Sequence, residues 1–301
     1  GTGEFKDYSV LNLESAYIIL YNKVMQTSAS QYASYRSSVN GGSHNVVMIE
    51  VNDAWLQYGG GVPKHILGTR RAINQIYNLS TQKPLALFII GKGISEASDP
   101  NTGSAWTPRK NSATNALNLV PSYGNPSSDL CITAKWNGST SFVPAIPTGR
   151  IAARNNAELN IYLNKIQIYE AAQNQNTVYN KETKDWQKQI LHFGGGSSAS
   201  EQALLQGYLN GMKNTIEGPS YGGNVNSYFK ETTNPFNPVQ SSEVTSFLEN
   251  GVSLMTFFGH ASADGFDQNI DDPANWGNAG KYPMVIGNGC YTGDIFKSGS
   301  N

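Results

Sequence analysis

The run Pro84-Leu85-Ala86-Leu87-Phe88-Ile89-Ile90-Gly91 decides the fold class. Its apolar residues follow one another with no polar alternation, and they stop at a glycine after the length of one strand. A strand that is apolar on both faces belongs in a parallel sheet covered by helices on both sides. Val46-Val47-Met48-Ile49-Glu50-Val51 repeats the pattern upstream, and Ala16-Tyr17-Ile18-Ile19-Leu20-Tyr21 precedes both. Between those two runs, residues 25–38 carry Met25, Tyr32 and Tyr35 at helical spacing. Between Val51 and Pro84, Pro63 stands where it can start a helix, and Ile66, Ile73, Ile76 and Tyr77 follow on a helical stripe. Strand, helix and strand in this order predict right-handed parallel α/β units.

The pattern continues downstream. Residues 94–128 are rich in Ser, Asn, Thr, Pro and Gly, and they directly follow the run that ends at Gly91. Sheets of this class place ligand clefts at such strand ends, so the segment reads either as functional or as a surface insertion. Leu159, Tyr162, Leu163, Ile166 and Tyr169 mark a helix over 157–172, and the polar stretch Gln173-Asn174-Gln175-Asn176-Thr177 after it is the expected boundary. The chain is therefore expected to form an α/β subdomain over 1–175 and a second over 176–301. In the second, Ile190-Leu191-His192-Phe193 is a strand, and Ala203, Leu204, Tyr208 and Met212 mark a helix over 199–216. A short strand at Val225–Phe229 and a helix over 241–249 lead to Leu254-Met255-Thr256-Phe257-Phe258-Gly259-His260. His192 reads as a structural histidine with its hydrogen bonds satisfied, and His44 and His65 read as surface residues.

With 301 residues the chain can bury a substantial core. Only 14% of residues are charged and the net charge is −1, so no basic field exists to hold nucleic acid. No apolar stretch approaches the ~20 residues that cross a bilayer. The chain opens on Gly1 without a signal-peptide pattern, as either a mature product or a recombinant piece would. An Asn-, Ser-, Gly- and Tyr-rich composition suits a secreted or surface protein.

The chemistry points to Cys290. It ends Pro283-Met284-Val285-Ile286-Gly287-Asn288-Gly289-Cys290, as His260 ends its own apolar run, and small or polar residues follow each. Two neighbouring strands would carry a thiol and an imidazole to the same sheet edge in this way. A thiol needs a base or a positive neighbour to become a nucleophile at neutral pH, so the pair suggests a Cys–His hydrolase or transferase. The competing reading is a buried, inert cysteine. Cys131, between Leu130 and Ile132, reads as a buried strand residue, not bridged to Cys290 if Cys290 is the nucleophile. The run Asp264-Gly265-Phe266-Asp267-Gln268-Asn269-Ile270-Asp271-Asp272 offers hard oxygen ligands that would suit a structural calcium ion, or forms a plain acidic loop. Phe266, Trp276 and Tyr291 either line a substrate cleft or pack.

Phe258-Gly259-His260-Ala261, Lys281-Tyr282-Pro283 and Gly289-Cys290-Tyr291-Thr292-Gly293 resemble the catalytic half of the gingipain-type (C25-like) cysteine peptidases. Within that family they are most similar to the sortases of the Bacteroidetes type IX secretion system. The three upstream strands, Pro147-Thr148-Gly149-Arg150-Ile151 and Trp186–Gly196 extend the resemblance in order. It implies a caspase-like fold of two tandem α/β subdomains, with mostly parallel sheets flanked by helices. Cys290 would form a thioester with His260 as base, and the backbone N–H groups of Cys290 and Ala261 would face the oxyanion. The family's acidic residue before Gly-Arg falls at Ala145, so the imidazole would be held by a backbone carbonyl or by Asp129. Members continue past the cysteine with a further helix and strand, so the second subdomain is expected to be incomplete at its C-terminus. The implied substrates are polypeptides with C-terminal sorting domains, with a glycolipid amine as acyl acceptor, an outer-membrane barrel as partner and an extracellular, outer-membrane-associated location. No cofactor is implied. The alternatives are an ordinary secreted peptidase and a non-catalytic scaffold that binds sorting signals or an outer-membrane partner.

Overall fold

Strand β1 (Tyr17–Tyr21) runs through the middle of the first half of the chain and sends alternate side chains to two different cores. Ile18 and Leu20 enter one, with Val47, Ile49, Leu87, Ile89, Trp55, Ile73 and Ile76. Ile19 and Tyr21 enter the other, with Phe88, Ile90, Met25, Tyr32, Leu159 and Leu163. This is the two-residue period of a strand buried on both faces. In the computed structural model, residues 5–95, 111–124, 126–174, 180–234, 237–238, 241–262, 265–269 and 272–297 are described.

The first unit comprises Gly1–Ile166 with Ile295–Asn301, and the second comprises Gln167–Asp294. In the first, β1 is followed by α1 (Gln26–Ser37), β2 (Val46–Glu50), α2 (Val51–Tyr58), α3 (Ile66–Leu79) and β3 (Ala86–Ile90). Then come α4 (Ser112–Leu117), α5 (Leu130–Thr133), β4 (Thr148–Ile151) and α6 (Asn156–Asn174), whose range includes the division between the units. The sheet order is β2-β1-β3-β4, with every neighbouring pair parallel. Arg150 on β4 donates from Nε and Nη2 to the two Asp129 carboxylate oxygens, each at 2.7 Å, and its guanidinium lies over the Phe296 ring.

The second unit contains α7 (Lys181–Lys184), β5 (Gln189–Gly194), α8 (Ala199–Glu217), β6 (Asn224–Phe229), β7 (Asn237–Pro238) and α9 (Ser241–Asn250). After these come β8 (Leu254–Phe258), β9 (Ala261–Ser262), β10 (Gly265–Phe266), β11 (Gln268–Asn269) and β12 (Met284–Asn288). Its four-stranded sheet has the order β12-β8-β5-β6 and is parallel throughout. Leu191, Phe193, Met255 and Phe257 pack against Val244 and Leu248 of α9. The fold is α/β, with two four-stranded parallel sheets flanked by helices. β12 is an edge strand whose Met284, Val285 and Ile286 are all exposed.

Several local expectations are corrected. Pro63 starts no helix; α3 begins three residues later, where the His65 side chain accepts the Leu67 N–H as an N-cap. His65 and His44 are half-buried, and the His44 ring rests 5.2 Å from that of Tyr17. Val51 begins α2, because the Glu50 carboxylate caps the Asn52 N–H and turns the chain out of the sheet. On α8, Leu205 and Leu209 are buried while Leu204, Tyr208 and Met212 face outward. Cys131 is half-buried in the short helix α5, not in a strand, and burial pushes its thiol up to about 11. His192 is fully buried but unsatisfied. Neither ring nitrogen has a well-formed hydrogen bond, and a weaker contact with the Leu209 backbone remains.

Candidate active site

Parallel pairing of β8 with β12 puts Phe258 opposite Asn288, and the Gly259 N–H donates to the Asn288 carbonyl at 3.2 Å. His260 and Cys290 therefore leave adjacent strands at the same C-terminal edge, where parallel α/β sheets place their sites. The approach is close. A Cβ on Gly289 would lie 2.9 Å from the Gly259 carbonyl oxygen and 3.2 Å from the Ala261 Cβ, so glycine is what lets the cysteine strand come so near. Cys290 is exposed and unbridged. The next residue, Tyr291, has φ 61°, a left-handed conformation that costs a non-glycine residue about 1 kcal/mol or more. The Thr292 hydroxyl shares its proton between the Gly289 carbonyl at 3.0 Å and that of Gly287 at 3.3 Å, which holds the turn in place.

The group that meets His260 is one the sequence analysis did not single out. Glu201 Oε1 lies 2.9 Å from His260 Nε2, and Oε2 accepts both the backbone N–H and the hydroxyl of Ser197 at 2.7 Å. Glu201 stands in the first turn of α8, where Ser198 caps its backbone N–H and the helix dipole favours a negative charge. The Ser197 hydrogen bonds, followed by that of His260, pull the Glu201 carboxyl down to about 2. It is a permanent anion at neutral pH, hydrogen-bonded to the imidazole. The motif Ser198-Ala199-Ser200-Glu201 was legible as a helix start; its role toward a residue 59 positions away was not.

Ala261 and Phe266 face each other across the β9–β10 hairpin, and the Asp267 N–H donates to the His260 carbonyl at 2.8 Å. That bond makes Ala261 a non-hydrogen-bonded position of the ladder, so its N–H points away from β10. A cavity of ≈ 320 Å³ opens beside it, lined by Ser197, Lys230, His260, Ala261, Ser262 and Asp267 among others. Asp129 belongs to the first unit, where Arg150 engages both of its carboxylate oxygens. Phe266 packs on Phe257 with ring centroids 3.9 Å apart, Trp276 packs against the same core, and Tyr291 is exposed.

Of the acidic run, Asp264 and Asp271 lie outside the described residues. Asp272 caps the Ala274 N–H, and Asp267 is engaged by Lys230 and Gly196. Among the described residues, no group of three or more His, Cys, Asp or Glu stands together as metal ligands.

A thiol and an imidazole at one edge of a parallel sheet are the pair of groups that cysteine-peptidase chemistry requires. The chain belongs to peptidase family C25, whose model matches residues 11–301. Among solved structures it is similar to dimeric latent PorU from Porphyromonas gingivalis, with 16% identity and a TM-score of 0.39 over 62% of this chain. The match covers 20% of the PorU chain, so this chain spans a small part of that protein's length. No curated protein sequence matches the chain significantly.

Proposed function

We propose that this chain carries a cysteine peptidase site in which Cys290 is the nucleophile and His260 the base. The observation that carries the reading is the convergence of the Gly259–Ala261 and Gly289–Cys290 segments, with an ionised Glu201 on Nε2 of the imidazole. His260 takes the thiol proton as sulfur attacks a peptide carbonyl, then delivers it to the departing amine. Glu201 fixes the ring and stabilises the imidazolium formed between these steps, the role a carboxylate plays in hydrolase triads. The N–H groups of Cys290 and Ala261 face the developing oxyanion. Water resolves the thioester in a peptidase, and an amine resolves it in a sortase.

On the resemblance of its motifs, the proposed substrates are polypeptides with C-terminal sorting domains of the type IX system. The same resemblance suggests a glycolipid amine acceptor, an outer-membrane barrel partner and a cell-surface location. No helix among the described residues is long and apolar enough to cross a membrane.

The test is mass spectrometry after treatment with a peptidyl thiol-reactive inhibitor, comparing the wild type with His260→Ala. Modification confined to Cys290 and lost without His260 supports the dyad. A Cys290 no more reactive than a free thiol sinks the reading.

A further inference from the structure

We propose that Asp267, paired with Lys230, is a positioning residue that sets the orientation of the His260–Ala261 peptide and so aims the Ala261 N–H at the oxyanion. The proposal rests on the catalytic reading above. Both side chains are almost wholly buried, and Lys230 Nζ lies 3.3 Å from Asp267 Oδ2. The same oxygen accepts the Gly196 N–H at 2.9 Å, and the Lys230 backbone N–H donates to the Gly194 carbonyl at 2.8 Å. The other carboxylate oxygen occupies space that a Cβ would take at two glycines, 2.1 Å from that position at Gly195 and 2.8 Å at Gly259. One buried carboxylate is thereby fitted among the C-terminal ends of β5, β6 and β8.

Its backbone does the aiming. The peptide unit is planar and trans, so the His260 carbonyl and the Ala261 N–H point in opposite directions from one rigid plane. The Asp267 N–H holds that carbonyl at 2.8 Å, which turns the Ala261 N–H away from the hairpin. A buried ion pair is a weak source of stability compared with apolar packing, but removing one partner leaves an uncompensated charge. Its retention beside the site therefore fits a role in geometry, and neither charge takes part in the proton transfers proposed for Cys290 and His260.

The experiment uses Asp267→Ala, the conservative Asp267→Asn, and the double variant Lys230→Met/Asp267→Asn, which removes both charges and guards against simple misfolding. Two measurements are made: labelling of Cys290 by a peptidyl electrophile, for its maximal rate and half-saturating concentration, and NMR exchange at the Gly196 and Asp267 amides. In Asp267→Ala the maximal rate is expected to fall by about tenfold or more, with half-saturation moving less than about threefold. The Gly196 amide is expected to exchange about tenfold faster. Asp267→Asn, which keeps an acceptor for Gly196, should recover part of both effects, and the double variant should behave like it. An unchanged maximal rate in a loosened Asp267→Ala chain overturns the positioning role, as does a loss carried by half-saturation alone. If the wild-type Cys290 is itself unreactive, the catalytic reading fails and the positioning role falls with it. The exchange rates then separately show whether Asp267 anchors this segment, and unchanged exchange excludes that anchoring too.

Discussion

Replacing Gly289 with alanine puts one methyl group into the narrowest point of the site. The added Cβ would stand 2.9 Å from the Gly259 carbonyl oxygen, 3.2 Å from the Ala261 Cβ and 3.4 Å from the Phe257 ring. Ordinary contact begins near 3.4 Å, so β12 must back away from β8 by about 0.5 Å. The obstructing oxygen belongs to backbone beside the sheet, so little of that shift can be absorbed by β8. Overpacking of this kind costs about 1–3 kcal/mol, which lowers Tm by roughly 2–4 °C per kcal/mol in a chain of this size. The Gly259 N–H bond to the Asn288 carbonyl, already 3.2 Å long, is the first to stretch. A 1 Å misplacement of reacting groups costs up to about 10²-fold in rate, so half of that predicts roughly tenfold slower labelling of Cys290. Gly207→Ala is the internal control. An added Cβ there meets nothing within 4 Å in the middle of α8, so that variant should gain about 0.5–1 kcal/mol and label normally. Melting and labelling kinetics on the three proteins decide the matter. A Gly289→Ala chain that melts and labels like the wild type would refute the β8–β12 register on which the site depends.

Glu201→Gln removes the anion but keeps an acceptor for the Ser197 N–H, so labelling of Cys290 should fall roughly 10²-fold with little change in melting. Wild-type labelling kinetics in that variant would remove Glu201 from the site. Burial, followed by the Lys213 charge, holds the His192 ring below its ordinary value of 6.5. The unfolded chain then binds the extra proton first, so stability is complete above pH 6.5 and falls as pH drops below it, until the folded ring also protonates. The slope is at most about 1.4 kcal/mol per pH unit. Denaturant titrations from pH 7.5 to 5 should show this slope and its reduction in His192→Leu; equal slopes contradict it. Asp129→Asn strips a charge from the buried Arg150 pair and should destabilise the first unit by about 3–5 kcal/mol. Cys290 labelling in the folded fraction should be unchanged, whereas a specific loss would return Asp129 to the role of imidazole orienter.

Parallel strands were the most legible part of this chain, because burial on both faces leaves uninterrupted apolar runs such as Leu87–Ile90. Cys290 and His260 were legible because each follows a short apolar run, although the run before Cys290 forms an exposed edge strand and not a buried one. Helix boundaries were less so. Pro63 satisfies the preference for a first-turn proline, yet a side-chain cap from His65 sets the start of α3. On α8 the sequence offers two apolar stripes one residue apart, Leu204-Tyr208-Met212 and Leu205-Leu209, and only tertiary packing chooses between them. Glu201 and Asp267 were beyond reach in a stronger sense. Each looks locally complete, as a capping glutamate and as one acid in an acidic loop. Their partners His260 and Lys230 are distant in sequence, and no spacing rule links them.

The groups proposed to react and the groups that hold them differ in burial, and that difference has consequences for how the site tolerates change. Cys290 and His260 are exposed, where side chains are free to adopt several rotamers and where an ion pair alone is weak. Precision at such positions has to come from the backbone. Here the backbone on the His260 side is fixed by the Asp267 N–H, and on the Cys290 side by the close approach of Gly289 and the Thr292 hydroxyl. Substitutions at these supports should therefore alter the maximal rate more than the apparent affinity, because their main effect is to move the reacting atoms. Glu201 joins the two classes. Its charge is fixed by the start of a helix and by Ser197, and it acts on an exposed imidazole, so the same carboxylate that ties Ser197 to the start of α8 orders the base.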